Sequence, residues 1–443
     1  MPYVPHTPEE QQAMLSTIGV NSVEELFAPI APSLRPQHFD LPEGLSEMAV
    51  TRRLEELAAR NSIHLHHFLG AGFYDHAVPA AVNALSGRGE FYTAYTPYQP
   101  EASQGILQAF FEFQTAIARL FEMDFANASL YDGGTALYEA VMTAVRVTKR
   151  RKVIVSEAVN PIYRSMLDCY TSNLNLELVT IPHTDGKTDL ERLTAAIDDQ
   201  TAAIIVQNPN FFGAINDFTE LFATAQKHKA LSILSTYPLL QSVLKTPGAM
   251  GADIAVAEGQ SLGLPLAFGG PYLGVFACRK KLVRQMPGRV VGRTKDADGK
   301  TGYTLTLQTR EQHIRRQKAT SNICSNQALC ALQAIIYMSL LGPEGMTRTA
   351  STCIERAHYA AQRFCALPGV EMVNTAPFGN EFAVRLPCKA YDLINRLLPK
   401  GYVPGFPLGR YYENMDDCLL VAVTEKTEPA DIGIMAEMVG GAL

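Results

Sequence analysis

The sequence predicts an α/β fold with a mostly parallel central sheet, followed by a smaller C-terminal α+β domain. Short β-rich runs alternate with helical segments through the centre of the chain, which is typical of βαβ units. The pattern changes after Arg310, where helical stretches precede two further β-rich runs. The length of 443 residues fits one large domain with a smaller one appended. We expect an N-terminal arm with helices over 1–90, a large α/β domain over 91–340 and a small α+β domain over 341–443.

The first hundred residues predict an irregular arm with short helices. Four prolines between positions 29 and 42 interrupt regular structure there. Helices are expected at Pro8–Ile18 and Glu47–Arg60. From position 103 to position 120 the apolar residues recur at helical spacing, which predicts a further helix.

The centre of the chain predicts a mainly parallel sheet, because strands alternate there with helices. The β-rich runs are Lys152–Ser156, Leu176–Ile181, Ala202–Gln207, Ala230–Ser235 and Asp253–Ala257. The helical segments include Thr135–Thr148, Asp189–Ile197 and Thr219–Lys227. The run Tyr272–Cys278 follows a Gly-Gly-Pro turn, so it is expected to return as an antiparallel strand.

The C-terminal part predicts two helices and two strands. The apolar helix Asn326–Leu341 is expected to end at Gly342-Pro343, since proline disfavours the helical conformation in the residue before it. A second helix is expected at Thr347–Leu367, and strands at Glu381–Leu386 and Cys418–Val423.

The amino-acid composition indicates which kinds of partner the chain could bind. Charged residues make up 19% of the chain and hydrophobic residues 47%, which favours an obligate oligomer. A net charge of -6 and a pI near 6.0 argue against a nucleic-acid partner, which would need a basic face. The longest apolar stretch, Ala328–Leu341, is shorter than the roughly 20 residues of a membrane span and contains Gln333. With no signal peptide apparent, we expect a cytoplasmic protein that does not insert in a membrane.

Cysteine and histidine patterns predict neither disulfides nor a metal site. The eight cysteines form no Cys-x-x-Cys pair, which indicates free thiols in a reducing compartment. His64, His66 and His67 lie together, but no cysteine or carboxylate joins them at ligand spacing. We interpret them as ordinary histidines.

The first candidate binding element is the turn formed by Gly133, Gly134 and Thr135, between a strand-like run and a helix. Exposed amides at a helix N-terminus suit a phosphate group, and the Thr135 hydroxyl could donate a further hydrogen bond. An ordinary Gly-Gly turn before a helix explains the same residues.

A loop rich in tyrosine and proline over 91–101 is the second candidate; it contains Tyr95, Thr96, Tyr98 and Gln99. Tyrosines combine apolar area with a hydroxyl, which suits a partly wet site or an interface. The alternative is a proline-stiffened surface loop packed by its own rings.

The third candidate is the basic segment 310–318, which contains Arg315, Arg316 and Lys318. It could bind an anionic group of a partner. Solvated charges paired with nearby carboxylates are the alternative interpretation.

Longer motifs in the same order along the chain resemble the P-proteins of the glycine cleavage system. Within that family the chain is similar to the N-terminal-half subunits of organisms that divide the enzyme into two chains. The motifs are Phe68–Gly72 with Val78-Pro79, Tyr95–Glu101 with Ser103–Gly105, Ala126–Ala136, Thr309–Cys324 and Leu420–Lys426.

The resemblance implies the fold type I of pyridoxal-phosphate enzymes. In that fold the cofactor phosphate lies at the glycine turn near residue 133, and the Schiff-base lysine follows a strand near residue 255. This sequence has Gln260 or Ser261 at the lysine position, and no lysine lies between Lys245 and Lys280. A glutamine amide cannot form an imine, because its nitrogen is not a free amine. Ser235-Thr236-Tyr237 stands where an aspartate would hold the pyridinium nitrogen.

The resemblance therefore implies a subunit with no catalytic lysine and at most a vestigial phosphate turn. Its partner, subunit 2, would carry pyridoxal phosphate, with two copies of each chain in the complex. Together they would decarboxylate glycine and transfer the aminomethyl group to the lipoyl arm of H-protein. The tyrosine loop and the basic segment would then face the partner's cofactor or the lipoyl channel.

Two other functions remain open on the sequence. One is a self-sufficient pyridoxal-phosphate enzyme with a displaced lysine, and the other is a non-catalytic scaffold of the same fold.

Overall fold

The computed structural model describes residues 6–36, 38, 40–62, 64–92, 94–267 and 269–443. The chain divides into two compact units, Met1–Ile63 and His64–Leu443. The first unit contains the helices α1 (Pro8–Ile18) and α2 (Glu47–Ala58), as the sequence predicts. A capping box at Thr7 begins α1, and Gly19 ends it in the left-handed conformation with φ 87°.

The second unit contains the central sheet, its flanking helices and a smaller C-terminal sheet. Its helices are α3 (Ala80–Ser86), α4 (Gln104–Leu120), α5 (Gly133–Thr148), α6 (Pro161–Thr171), α7 (Leu190–Ala196), α8 (Thr219–Lys227), α9 (Pro247–Met250), α10 (Gln312–Arg315), α11 (Ala328–Cys365), α12 (Ala390–Leu397) and α13 (Pro429–Gly440). Its strands are β1 (His66–His67), β2 (Phe125–Ala126), β3 (Lys152–Ser156), β4 (Glu177–Ile181), β5 (Thr201–Asn208), β6 (Leu231–Thr236), β7 (Ile254–Glu258), β8 (Gly274–Cys278), β9 (Val290–Lys295), β10 (Thr301–Thr306), β11 (Glu371–Met372), β12 (Glu381–Arg385), β13 (Tyr402–Val403), β14 (Phe406–Pro407) and β15 (Cys418–Ala422).

The central sheet has seven strands in the order β2-β8-β7-β6-β5-β3-β4. Strands β4, β3, β5, β6 and β7 run parallel, which confirms the parallel sheet expected from the sequence. Strand β8 pairs antiparallel with β7, as the Gly-Gly-Pro turn predicts. Because the five parallel strands point the same way, their carboxyl ends lie at one edge of the sheet.

Both faces of the central sheet are covered, so its middle strands are apolar on each side. Alternate residues of β7 show this: Ile254 and Val256 pack in one cluster with residues of α5, including Leu137 and Val141. Ala255 and Ala257 pack in another cluster with residues of α4 and α11. Helix α5 therefore packs against the sheet. Its first residue, Gly133, lies at the edge where the parallel strands end.

Helix α11 has a kink at Gly342, where φ is 61° and ψ is -178°. The kink confirms the break that Gly342-Pro343 predicts, although the two helical parts follow each other without a loop. By length and composition α11 could cross a membrane, but a core helix of a soluble protein passes the same test. Leu332, Ala334 and Tyr337 are buried in the cluster that includes α4.

The C-terminal sheet has the order β11-β12-β15-β14, and all its pairs are antiparallel. Strands β12 and β15 confirm the two strands predicted there. Helices α12 and α13 pack with this sheet around a core that includes Phe382 and Val421. The predicted domain boundary after position 340 falls beside the kink of α11 and stays a prediction.

Candidate functional site

A small cavity lies where several parallel strands of the central sheet end. Open α/β sheets bind their ligands at this edge. The cavity has a volume of about 40 Å³. Its lining residues are Gly72, Tyr74, Asn160, Tyr163, Gln207, Pro209, Asn210, Gly213, Ser235, Thr236, Tyr237, Glu258, Asn380 and Glu381.

Gln260, at the position expected for a lysine, is buried and fully hydrogen-bonded. Its Nε2 donates to the carbonyl oxygens of Tyr74 at 3.0 Å and of Leu264 at 2.9 Å. Its Oε1 accepts the N–H of Tyr74 at 3.0 Å. The side chain therefore joins the segment after β7 to the loop that contains Tyr74. Ser261 is also buried, and its hydroxyl has no partner among the described residues.

The glycine turn begins α5 as predicted, but carboxylates of the same chain accept the N–H groups of Gly133 and Thr135. The Gly133 N–H donates to Glu258 Oε2 at 3.0 Å. Thr135 donates its N–H to Asp132 Oδ1 at 2.7 Å and its hydroxyl to Asp132 Oδ2 at 3.1 Å. A Cβ atom at position 134 would clash with the Met166 side chain. The two glycines therefore allow the chain's own side chains to pack here.

These residues do not fit pyridoxal phosphate. Ligand pockets have volumes of roughly 300–1,000 Å³, whereas about 40 Å³ holds only a few waters. A cofactor phosphate at the turn would meet the carboxylates of Asp132 and Glu258. No amine is available at Gln260, and Ser235 lines the cavity on β6 where an aspartate would be needed.

A second buried carboxylate, Glu381 on β12, borders the same cavity. Its Oε1 accepts the Ala71 N–H at 2.7 Å, and its Oε2 accepts the Tyr74 hydroxyl at 2.9 Å. Burial raises the pKa of Glu381 to about 7, although these two hydrogen bonds act in the opposite direction. Burial likewise raises the pKa of Glu258 to about 8. The cavity therefore contains two carboxyl groups that favour their protonated forms.

The raised pKa of Glu381 predicts a pH-dependent stability. The folded state binds this proton more tightly than the unfolded state, in which the pKa is near its ordinary 4.5. The contribution of Glu381 is therefore full below pH 4.5 and is lost as the pH rises to about 7. The neutral amide of Glu381→Gln does not titrate, so this pH dependence is absent in the variant. As the pH rises over that range, wild type should lose about 3 kcal/mol of unfolding free energy relative to the variant. Urea unfolding at about pH 5 and pH 8 measures the difference.

The exposed Glu220→Gln on α8 is the control for this pH series, since its unfolding free energy should follow that of wild type. If the unfolding free energies of Glu381→Gln and wild type change equally with pH, the pKa of Glu381 is not raised in the folded state.

A buried polar chain adjoins the cavity through Tyr237. The Nδ1 of His76 lies 2.7 Å from Glu425 Oε2, and its Nε2 contacts the Tyr237 hydroxyl. The same Glu425 carboxylate accepts the Ala77 N–H at 2.7 Å and a contact from Cys353 Sγ at 3.3 Å. Burial opposes the charge of Glu425, but the hydrogen bond and charge of His76 outweigh it and lower the pKa to about 2.

This chain also brings together three groups of metal-ligand type, from His76, Cys353 and Glu425, within 4.8 Å. Sequence patterns do not bring these three residues together, because they lie far apart in the chain. Their contacts of 2.7 and 3.3 Å are hydrogen-bonding distances, and each group has a protein partner.

The tyrosine loop and the basic segment meet through Arg289. Its Nη2 donates to the Tyr98 hydroxyl at 3.2 Å, and its guanidinium carbon lies 5.5 Å from the Tyr98 ring centre. His313 of the basic segment packs edge-on against the same ring. Arg289 is also 3.7 Å from a carboxylate oxygen of Glu311. The Tyr98 side chain is therefore held in place although it is half-exposed.

The other residues of the tyrosine loop and the basic segment that were predicted to face a partner have fewer contacts. Tyr95 is 84% exposed, Gln99 is exposed and Thr96 is partly buried. Thr93 of the same loop lies outside the described residues. Arg315, Arg316 and Lys318 are all exposed, and Arg315 Nε donates to the Thr309 carbonyl oxygen at 3.1 Å.

Sequence reasoning missed several polar residues of this region: the buried Tyr74, His76, Glu258, Arg289 and Glu381, and the partly buried Glu425. Glu258 offered a local signal, because a carboxylate that ends an apolar strand needs a partner. Glu425 lies within a family-typical motif at the end of the chain.

Comparisons with known proteins agree with this fold. A model of the family "Glycine cleavage system P-protein" matches residues 1–439. Proteins of Maridesulfovibrio salexigens and Nitratidesulfovibrio vulgaris are 67% and 66% identical to this chain, over all of this chain and all of each relative. Both are named "Probable glycine dehydrogenase (decarboxylating) subunit 1".

Solved structures give the same result. A glycine decarboxylase (P-protein) of the glycine cleavage system, in inhibitor-bound form, has a TM-score of 0.94 and 45% identity, and both chains are fully covered. A sphingosine-1-phosphate lyase of Burkholderia pseudomallei aligns over 94% of this chain and 94% of its own, with a TM-score of 0.69. At 16% identity this similarity shows the fold alone. The fold is the fold type I of pyridoxal-phosphate enzymes. Together with the family match over residues 1–439, these similarities show that the chain belongs to the glycine cleavage system P-protein family.

Proposed function

We propose that this chain is the subunit of a two-chain glycine decarboxylase that carries no cofactor of its own. One observation carries the proposal: the edge of the sheet where a cofactor would bind is filled by Gln260 and Glu258. Relatives that match over their full length bear the name subunit 1, which implies a second subunit. The partner would hold pyridoxal phosphate on its lysine, and the complex would contain two copies of each chain and work in the cytoplasm.

In this complex the two chains would decarboxylate glycine and transfer the aminomethyl group to the lipoyl arm of H-protein. When bound to the partner, the cofactor supplies the electron sink for the decarboxylation. Since this chain has no place for that group, its role would be to complete the partner's site and the channel for the lipoyl arm.

Tyr98 is the best-supported residue for this role. Arg289 fixes its ring and its hydroxyl, yet nearly half of the side chain remains exposed. A polar group that is both held and exposed suits contact with a second chain. Tyr95, Thr96 and Gln99 extend this surface along the loop, and Arg315, Arg316 and Lys318 add positive charge at the basic segment.

Two apolar grooves support a permanent partner. One, of about 640 Å³, is lined by residues of α4, β2 and β9, including Phe111, Phe125 and Val291. The other, of about 440 Å³, lies between α4 and α11 and includes Phe91 and Ile336. Apolar side chains that remain accessible in such grooves are candidate contacts for a second chain.

Co-expression with the lysine-bearing subunit tests the proposal. We expect a stable complex that exchanges carbon dioxide with the carboxyl group of glycine when lipoylated H-protein is present. This chain alone should form no imine with pyridoxal phosphate. Glycine-dependent exchange by this chain alone would instead support a self-sufficient enzyme with a displaced lysine. Unchanged exchange by the partner in its absence would support a non-catalytic scaffold.

The tyrosine surface gives a more local prediction. Tyr98→Phe removes the hydroxyl that Arg289 binds, and Tyr95→Phe removes a fully solvated hydroxyl. If both hydroxyls face the partner's site, each variant should assemble normally while glycine turnover by the complex falls about 10-fold, as for loss of one hydrogen bond to the reacting groups. Complex formation and turnover are measured side by side.

Tyr92→Phe is the matched control, because Tyr92 is an exposed tyrosine of the same loop outside the proposed surface. Its turnover should equal that of wild type. Unchanged turnover in both Tyr95→Phe and Tyr98→Phe would remove the loop from the proposed site.

A further inference from the structure

We propose that the Glu258 carboxyl group occupies the place of an anionic ligand group at the first turn of α5 and closes this edge of the sheet to phosphorylated ligands. The proposal concerns this chain alone. It stands whether or not a partner subunit supplies the cofactor, so its test is independent of the one above.

Three backbone amides from separate segments converge on this carboxylate. Glu258 Oε2 accepts the Gly133 N–H at 3.0 Å. Glu258 Oε1 accepts the N–H of Gln260 at 3.0 Å and of Leu273 at 3.1 Å. Backbone amides around a helix N-terminus are the usual donors to a bound phosphate. Here the same arrangement is built around a side chain that is only 6% exposed.

The Asp132 carboxylate also disfavours phosphate binding at this turn. It caps α5 through the N–H and the hydroxyl of Thr135, at 2.7 and 3.1 Å. An incoming phosphate would therefore have to displace one carboxylate and approach a second. Tyr163 packs against Gly133, which leaves little space above the turn.

The protonation of Glu258 is consistent with this role. Burial raises its pKa to about 8, and the nearby Asp132 charge acts in the same direction. At neutral pH the carboxyl group can satisfy the three amides without a full buried charge. Burying this carboxyl group costs less free energy than burying a phosphate dianion.

Inorganic phosphate is the probe for the test. Thermal unfolding midpoints are measured in phosphate and in chloride at equal ionic strength, and the phosphorus NMR line width reports binding directly. Wild type should show only the general stabilisation that phosphate gives relative to chloride, with no broadening of the phosphorus signal. Glu258→Ala leaves three amides without an acceptor and should unfold about 5 °C lower or more in chloride.

The informative variant is Asp132→Ser combined with Glu258→Ala. Serine keeps the helix cap but removes the second charge. In this variant phosphate should raise the midpoint by about 2–4 °C over chloride and broaden the phosphorus signal. Glu157→Ala is the matched control: Glu157 follows β3 and accepts the His183 N–H at 3.1 Å, away from the α5 turn. Its midpoint should respond to phosphate as that of wild type does.

If the alanine variants do not fold in chloride, Glu258→Ser is used instead, because its hydroxyl can still accept one of the hydrogen bonds. A variant that folds only in phosphate supports the proposal, because the anion then replaces the missing carboxylate. Two results overturn it. One is a phosphate effect in wild type equal to that of the double variant. The other is the absence of any phosphate effect in all Glu258 variants, including their failure to fold in either salt.

Discussion

Replacing Gln260 by lysine is expected to destabilise the chain by about 3 kcal/mol and to create no covalent cofactor site. The lysine ammonium could still donate to the carbonyl oxygens of Tyr74 and Leu264, but it could not accept the Tyr74 N–H that Gln260 Oε1 now binds. Position 260 is 1% exposed, so the variant buries the ammonium charge and also leaves the Tyr74 N–H without an acceptor. The decrease in urea midpoint measures this cost.

The same variant distinguishes a missing lysine from a closed site. If the lysine were the only missing group, Gln260→Lys would form an imine with added pyridoxal phosphate, which borohydride would fix. We expect no such product, because Glu258 holds the Gly133 amide and the cavity has a volume of only about 40 Å³. An imine fixed at position 260 would show that the site remains open.

Gln226→Lys is the control for this substitution. Gln226 is exposed on α8, near the C-terminal end of that helix, where a positive charge is tolerated. Its stability should stay within about 0.5 kcal/mol of wild type. A similar loss in both variants would mean that the lysine itself, and not the buried position, is responsible.

Local signals in the sequence predicted most of the fold. Helix α8 and strand β3 have the predicted bounds to the residue, because a pattern of apolar residues defines each of them and charged residues lie on either side. The β9–β10 hairpin was missed. An Asp-Gly pair at 298–299 lies in its turn, which is a typical hairpin signal.

The candidate site was less predictable, because its defining contacts join distant parts of the chain. Glu258 meets Gly133 across 125 residues, and Gln260 meets Tyr74 across 186. The sequence does indicate an amide at the position of a lysine and a glycine turn before a helix. One sequence without its fold does not indicate that a carboxylate of β7 binds that turn.

The tyrosine loop shows a similar limit. Its composition predicts an interface or a packed surface loop, and the two interpretations differ only in what each ring contacts. The structure separates Tyr98, which Arg289 and His313 hold, from Tyr95, which is almost fully exposed. Arg289 itself lies outside every segment singled out in the sequence, because a lone arginine beside a strand carries no local signal.

Replacing Glu425 by alanine is expected to cost about 3–5 kcal/mol of unfolding free energy at neutral pH. Its carboxylate accepts the Ala77 N–H, contacts Cys353 and faces the buried His76 ring, so its removal leaves these groups without their acceptor. The Glu425 side chain joins a segment that follows β15 to the loop before α3 and to α11. Its loss should therefore loosen contacts between distant parts of the second unit, and urea unfolding should show the full decrease in midpoint.

Two further variants separate the charge of Glu425 from its shape. Glu425→Gln keeps an oxygen for the Ala77 N–H but loses the charge that faces His76, so it should lose less stability than the alanine variant. Glu437→Ala, exposed on α13, should remain within about 0.5 kcal/mol of wild type. If Glu425→Ala is as stable as Glu437→Ala, the His76–Glu425 contact does not hold these segments together. Equal losses in Glu425→Gln and Glu425→Ala would instead assign the whole effect to the charge.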